Sequence, residues 1–455
     1  NLTNTSSKET PIYFIGTGSV KVAQNLVQRV LADGLYVNAA TYPVVPNDKT
    51  GLRFTLTRHN TKAHIDQLVH SINKNFQAAV EEENEDLEKI YKTFAIPFNG
   101  KNSVKTIESE KIFVEIHNSI TEIDAQLWDG LFKDNGNYSH NGLRCIEEIF
   151  SNNEKVEENW GFHYVIIKDE NNDVVLATFF TSALYKDDML ALENVSRKIE
   201  KQREEDPYYL CSKTLAMGSL FTEGEHLYVK VGHPVLNQAF NRFFIELDNL
   251  KKASESNVVI LRDFQSDFQY HDRFEKEGFV KVSMPNSLQL KNVTWKNQDE
   301  MLASIPSSKK REGIRYYALR NEPLFDITVK PALSDEESER CYELFCNVKS
   351  RNFAMNFFNY PSKITKIMSR YDEYEFMLIR LKGQEEIIAS AWIYNGPSHS
   401  SPMIVGLDDR YIKTHRIYQQ IVYQINKRAR ELDKETIFCG FSADKKKKKY
   451  GATAV

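Results

Sequence analysis

DITVK at 326–330, EFMLIRL at 375–381, EIIASAWIY at 386–394, MIVGLD at 403–408 and TIFCGF at 436–441 decide how this chain is read. Each run is rich in β-branched and aromatic residues and is bounded by turn-forming ones, which is the pattern of a strand. Between the first two, Ser334–Asn352 opens with SDEE, whose hydroxyl and carboxylate are spaced to cap a helix reciprocally. Pro361–Arg370 reads as a second, short helix. Lys382-Gly383-Gln384 turns the second strand back into the third as a hairpin. After the fourth strand, Thr414 is placed to cap a helix whose apolar stripe is Ile417, Ile421, Ile425, Ala429 and Leu432. The order is strand, two helices, hairpin, strand, helix, strand.

The same order precedes it. Lys111–His117 is a strand, and Glu122–Phe132 and Gly142–Phe150 are helices. His163–Asp169 and Asp173–Thr181 make a hairpin across Glu170-Asn171-Asn172, and a long insertion, Leu184–Gly218, follows. Glu225–Val231 is then the strand, and Pro234 opens a helix with Leu236, Phe240, Phe243, Leu247 and Leu250 inside. Val258–Phe264 (VVILRDF) is the last strand.

This duplicated order resembles the topology of the GNAT acyltransferases. Gly232-His233-Pro234, Leu261-Arg262-Asp263-Phe264, the basic turn Ser307–Arg311 and the ending Gly440-Phe441-Ser442…Lys449-Tyr450-Gly451-Ala452 extend the resemblance to double-GNAT proteins related to the Fem-type peptidoglycan aminoacyl transferases. It implies an α/β protein with mixed sheets and two lobes, 108–292 and 293–455. Glu225–Val231 and Val258–Phe264 are expected to lie parallel in one sheet. It also implies an acyl thioester donor, acyl-CoA or an acyl-carrier protein, whose phosphate meets the N-terminus of the helix after the fourth strand. Unpaired N–H groups and the positive helix end suit phosphate there.

Val231–Gln238 and Leu407–Arg416 occupy that place, and Arg410, Lys413, Thr414, His415 and Arg416 make the second the candidate donor site. Neither stretch carries the Gln/Arg-x-x-Gly-x-Gly/Ala pattern of coenzyme-A-binding members. Arg262 and Asp263 close an apolar strand as a charged pair. Asp263 is the candidate for positioning or deprotonating an amine, and Arg262 for holding a carboxylate. Asn352 and Asn356 lie in an aromatic and amide-rich stretch, NFAMNFFNY, that is read either as substrate-facing or as a helix end on the core. His163, His233 and His399 are ambiguous, and Cys439 reads as core.

The chain opens differently. PIYFIGTGS, VKVAQNLVQRVLADG, LYVNAATYPVVP and GLRFTLTRHNT follow in turn, and then a helix begins at TKAHIDQLVHSI. That order resembles the last segment of the α-oxoamine synthases, pyridoxal-phosphate enzymes of the class I/II aminotransferase fold. The resemblance implies that Arg53 holds a substrate carboxylate. It also implies that the cofactor's lysine lies in a preceding large domain, and that this half of the parent is homodimeric. Residues 1–80 are expected to be this subdomain, incomplete here, with 1–455 a part of a longer fusion. Pyridoxal phosphate then belongs to the parent alone. EEENEDLE at 81–88 and the residues to 107 read as an acidic helical linker.

The 455 residues suggest roughly three domains at ~150 residues each. A net charge of −4 gives no global basic field, which argues against DNA as a partner. The five cysteines include no C-x-x-C pair, so neither a metal site nor a disulfide framework is expected. The compartment reads as cytoplasmic. The basic stretch Ser307–Arg320 and the lysine run 445–449 point to solvent, an acidic carrier protein, or a membrane surface.

Three functions follow. In the first, a synthase makes an amine and the double-GNAT half acylates it from a thioester, as in aminolipid or sphingolipid-like biosynthesis. In the second, the lobes are a non-catalytic docking module. The third is Fem-type aminoacyl transfer from tRNA.

Overall fold

The computed structural model describes residues 3–6, 10–96, 112–265, 267–282, 284, 286–353, 355–440 and 444–454. The chain divides into two compact units, Asn1–Ser109 and Glu110–Val455. In the first, β1 (Ile12–Gly16), α1 (Val20–Ala32), β2 (Asn38–Ala40), β3 (Gly51–Thr55), α2 (Lys62–Glu82) and α3 (Leu87–Thr93) follow one another. β3 lies between β1 and β2 and is antiparallel to both. Ser19 starts α1 because its hydroxyl accepts the Val22 N–H, and Thr61 starts α2 in a capping box with His64. Val22, Leu26 and Val30 of α1 share a core with Leu68, Ile72 and Phe76 of α2 and with Leu52 of the sheet. The expected linker is more than a connector up to residue 96. Asp86 caps α3, and Ile90 and Tyr91 are buried in this same core. The rest of that linker, 97–107, lies outside the described residues, as do Lys111 and 441–443.

The second unit begins with β4 (Ile112–His117), α4 (Ala125–Phe132), α5 (His140–Ile149), β5 (Gly161–Asp169), β6 (Val174–Lys186), α6 (Glu193–Arg203), β7 (Cys211–Met217), β8 (Leu227–Val229), α7 (Leu236–Ala253) and β9 (Val258–Ile260). The sheet order is β4-β5-β6-β7-β9, and only β7 and β9 run parallel. Then come α8 (His271–Lys276), β10 (Leu288–Lys291), α9 (Gln298–Ala303) and α10 (Ser308–Tyr317). The first order now repeats as β11 (Phe325–Lys330), α11 (Asp335–Arg351), α12 (Ile364–Met368), β12 (Tyr374–Leu381), β13 (Ile387–Asn395), β14 (His399–Leu407), α13 (Asp409–Thr414), α14 (Ile417–Glu431) and β15 (Thr436–Phe438). α15 (Asp444–Lys447) and β16 (Thr453–Ala454) follow. This sheet runs β11-β12-β13-β14-β15-β10-β16, and only β14 and β15 are parallel. The unit is therefore two lobes of one GNAT-like topology with mixed sheets.

A shared core joins the lobes. Trp128, Tyr164 and Phe179 of the first lobe belong to one buried cluster with Phe376, Trp392 and Tyr394 of the second, and α5, α11 and α12 contribute to it. On their other faces the sheets carry separate cores, with Phe240 and Phe243 of α7 in one and Ile417 and Ile421 of α14 in the other.

Three expectations are corrected. The parallel partner of β9 is β7, inside the supposed insertion 184–218, through Thr214↔Val258 to Ala216↔Ile260. Glu225–Val231 shortens to β8, which pairs with Leu176–Thr178 of β6. Thr414 caps nothing: it ends α13, its hydroxyl donates to Arg410 O (2.8 Å), and α14 starts from Arg416 in a left-handed conformation, φ 54°. β10, which precedes the expected lobe boundary at 292, lies beside β15 in the second lobe's sheet.

Candidate active site at the lobe junction

Pairing between β7 and β9 stops at Ala216↔Ile260, and the strands part there. Arg262 closes the gap. Its guanidinium donates to Ser219 O at 2.8 Å and to Thr222 O at 3.5 Å, both in the segment that leaves β7. Its Nε donates to Asp263 Oδ2 at 2.8 Å. Asp263 sits at φ 62°, a left-handed conformation that costs a non-glycine residue about 1–2 kcal/mol and is least unfavourable for Asp and Asn.

His226 completes this end. Its Nδ1 lies 3.4 Å from Asp263 Oδ2 without hydrogen-bond geometry, and its Nε2 lies 2.8 Å from Thr222 Oγ1. The ring is buried and stacks on Tyr138 at 4.8 Å. Burial pulls the imidazole down to about 3, so it stays neutral beside the carboxylate. Gly218 makes the approach possible, since it has φ 71° and a Cβ there would lie 2.5 Å from the His226 ring.

A second carboxyl faces the same junction. Glu223 is pushed up by burial, accepts from Ser287 Oγ (2.5 Å) and Gly440 N (3.0 Å), and senses the Asp263 charge. Tyr185 lies near both Arg262 and Asp263. Its hydroxyl is buried near Thr181, and burial pushes it up to about 12.

Gly440 follows β15, which leads into the second lobe. β14 and β15 pair only through His399↔Thr436 and Ser400↔Ile437, so β14 runs on from Ser401 to Leu407 without β15 beside it. The register with β13 slips between Trp392↔Ile404 and Ile393↔Pro402, a bulge at Met403. A bulge leaves backbone groups outside the ladder and commonly marks a functional edge.

Beyond that opening, Lys446 Nζ lies 4.4 Å from the ring centroid of Tyr418 in the first turn of α14. Its pKa is lowered by burial and then by the cations Lys449, Arg351 and Arg416. Burial raises the Tyr418 phenol, which lies near Cys439, and Cys439 in turn lies near Lys447 and Glu223. A line of groups thus runs from a cationic end at Lys446 to a carboxylate end at Asp263.

The residues singled out in the sequence fall in different places. Arg262 and Asp263 are in this site. Arg410 is held by carboxylates: it donates to Asp408 (2.7–3.2 Å) and Glu386 (2.5 Å), and it is the first cause holding Asp408 down at about 2. His415 Nδ1 lies 2.9 Å from Thr414 Oγ1, while Lys413 and Arg416 are exposed, the latter 5.3 Å from the ring centroid of Tyr317.

Asn356 is buried, and its amide is taken up inside the fold. Nδ2 donates to Asp188 (2.9 Å) and Glu200 (2.7 Å), and Oδ1 accepts from Lys186 (3.5 Å), which pins the α6 excursion to the second lobe. Asn352 is the exposed C-cap of α11. Arg53 is exposed on β3, opposite Phe14 and Asn38. His399 is buried with Nε2 3.0 Å from Gly136 O, Cys439 is half-buried, and His163 is half-buried with Nδ1 3.3 Å from Asn118 Oδ1 and Nε2 3.2 Å from Ser182 Oγ. No metal was expected. Asp169, Asp173 and His233 do bring ligand atoms within 4.8 Å of one another, but Lys230 Nζ sits 3.1 Å from Asp173.

Glu223 and His226 escaped the sequence reading, and Lys446 entered it only within the lysine run 445–449. The one signal near the first two was the glycine-bounded turn GSLFTEG, 218–224.

No known family profile matches the chain, and no curated protein sequence does. Among solved structures it is similar to the crystal structure of FemX, at 13% identity, over 74% of this chain and 94% of that one, with a TM-score of 0.47. A tandem GNAT protein from the clavulanic acid biosynthesis pathway is 9% identical over 75% of this chain and 95% of its own, with a TM-score of 0.45. A low-resolution structure of SPT is 28% identical over 16% of this chain and 19% of its own, with a TM-score of 0.14. All three superpositions fall below a TM-score of 0.5, so the fold assignment rests on the strand order.

Proposed function

We propose that the 110–455 unit transfers an acyl group from a thioester to an amine by direct attack. The observation that carries this reading is the line of groups across the C-terminal end of β15, with cations at one end and Asp263 and Glu223 at the other. The splayed edge of β14 receives the thioester, with Arg416 and Lys446 facing its phosphate. In the first lobe the matching gap is filled by Arg262, so one donor site per unit is expected.

The amine docks at Asp263, whose Oδ2 is held by Arg262. Asp263 takes the proton as the nitrogen attacks the thioester carbonyl. The N–C bond forms, the C–S bond breaks, and the thiolate leaves to be protonated. Holding both substrates together removes much of the entropic barrier. No acyl-enzyme is needed. Burial raises the thiols of Cys145, Cys211, Cys341, Cys346 and Cys439, which makes each a poor nucleophile.

We read 1–80 as the closing subdomain of an α-oxoamine synthase, with Arg53 as its carboxylate ligand. In a parent that carries the pyridoxal-phosphate domain, Arg53→Ala should then raise the amino-acid KM at least ~10-fold; an unchanged KM removes Arg53 from that site. An amide-lipid product is the pathway this pairing favours.

The test for the second unit is thiol release from hexadecanoyl-CoA with a long-chain amine acceptor. Amine-dependent release supports transfer. Release that ignores the amine, or none with any amine, returns the unit to a docking role.

A further inference from the structure

α10 and the lysine run form one basic face. Lys310 Nζ donates to Lys448 O at 2.9 Å, which ties α10 to the turn after α15. Lys309, Arg315 and Arg320 are exposed on the α10 side, and Lys445 and Lys449 on the other. Between 305 and 320 the only acid is Glu312, which is 3.7 Å from Arg315 in a pair exposed on both sides. The face adjoins the donor end of the candidate site. Lys446 lies over Tyr418, Arg416 lies over Tyr317 of α10, and the Tyr450 hydroxyl donates to Gln419 O at 2.9 Å.

This is more charge than a small donor uses. Arg416 and Lys446 suffice for a diphosphate, whereas α10 alone extends the face by about 15 Å. Concentrated like charge repels itself and favours a large anionic partner. The chain's net charge is −4, so this basic face does not belong to a positive field over the whole molecule. A nucleic acid backbone would run beyond it. A membrane would call for several exposed apolar side chains, whereas here Tyr316, 54% exposed, stands among the cations. One exposed tyrosine inside a basic rim suits a helix of an acidic protein.

We propose that the α10–α15 face docks an acidic carrier protein, which presents the acyl thioester to β14 on its phosphopantetheine arm. This rests on the acyl-transfer reading and names the partner that brings the donor. The recognition is electrostatic at the face and covalent only through the carrier's own arm.

The test uses the 455-residue chain with a type II fatty-acid carrier protein in its apo and hexadecanoyl forms. The apo carrier should bind at 50 mM salt, and its Kd should rise at least ~10-fold by 0.3 M salt as screening shortens the field. Lys309→Glu/Arg315→Glu/Arg320→Glu should weaken that binding ~10-fold or more, with hexadecanoyl-CoA turnover unchanged within about 2-fold. Apo-carrier binding reads docking even where transfer fails, and CoA turnover reads transfer even where docking fails. If the triple glutamate variant melts early, the matching triple glutamine variant should fold and still lose most of the affinity. The proposal is overturned if the apo carrier does not bind at 50 mM salt, or if the charge variants bind as well as the parent. Tighter binding of bulk tRNA or of phosphatidylglycerol vesicles than of the carrier overturns it as well.

Discussion

Replacing Asp263 by Asn separates its chemistry from its place in the fold. The two side chains are nearly isosteric, and Asn tolerates the left-handed backbone at φ 62° as well as Asp does. What changes is the charge. The lost ion pair with Arg262 involves side chains 22% and 34% exposed, so solvent screening limits its worth to about 1 kcal/mol at most. In a unit of this size that shifts Tm by less than about 4 °C. Arg262 keeps its bonds to Ser219 O and Thr222 O, so the strand end stays closed. His226 is neutral and imposes no further electrostatic cost. Loss of a general base, by contrast, lowers kcat by about 10²–10⁴-fold. The assay is steady-state thiol release with saturating amine, run beside a thermal melt of the same sample. The expected result is a kcat at least ~10²-fold lower with a near-parental melt. A variant that keeps its kcat refutes Asp263 as the base, and one that loses both activity and several degrees assigns it a structural role.

Further outcomes follow from the same geometry. Arg416→Ala and Lys446→Ala should each raise the KM for hexadecanoyl-CoA about 10-fold through a lost charge-assisted contact of about 1.5 kcal/mol, and leave KM for a phosphate-free thioester unchanged; equal effects on both donors would remove these cations from a phosphate role. Glu223 has a folded pKa above its unfolded value because it is buried, so the stability it confers is full below the unfolded carboxylate range and is lost as pH rises through the folded pKa. Glu223→Gln, which can still accept from Ser287 and Gly440, should therefore flatten the fall in Tm on that rising limb, read by melts from pH 4 to 8. Trp128→Ala should cost about 3–5 kcal/mol, and because its cluster spans both lobes they should melt in a single, lower transition; two separated transitions in calorimetry would contradict the shared core.

The second lobe was legible because its elements are regular and its connections short. Ser334 and Glu337 form the capping box that SDEE announces, and the hairpin turn falls at Lys382–Gln384. The first lobe misled at one strand. Cys211–Met217 reads CSKTLAM, weakly patterned after the polar α6, whereas Glu225–Val231 alternates well and was preferred. Pairing with β6 and β9, which no local pattern encodes, decides between them.

The site divides in the same way. Arg262 and Asp263 stood out as charges ending an apolar run. Glu223 meets Gly440 across 217 positions in sequence, and His226 reaches Asp263 only because the chain turns at Gly218. Asn356 illustrates the opposite error: a polar residue among aromatics looks substrate-facing until Asp188 and Glu200, from the other lobe, are found holding it.

The central claim is direct transfer of an acyl group to an amine. A single-turnover reaction of the 455-residue chain with hexadecanoyl-CoA and a long-chain amine, quenched over milliseconds to minutes and followed by mass spectrometry of both lipid and intact protein, tests it. The account predicts that N-hexadecanoyl amide appears in step with released thiol while the protein mass stays unchanged at every time point. Acylated protein that forms before the amide and decays into it, or thiol release without amide, would contradict it.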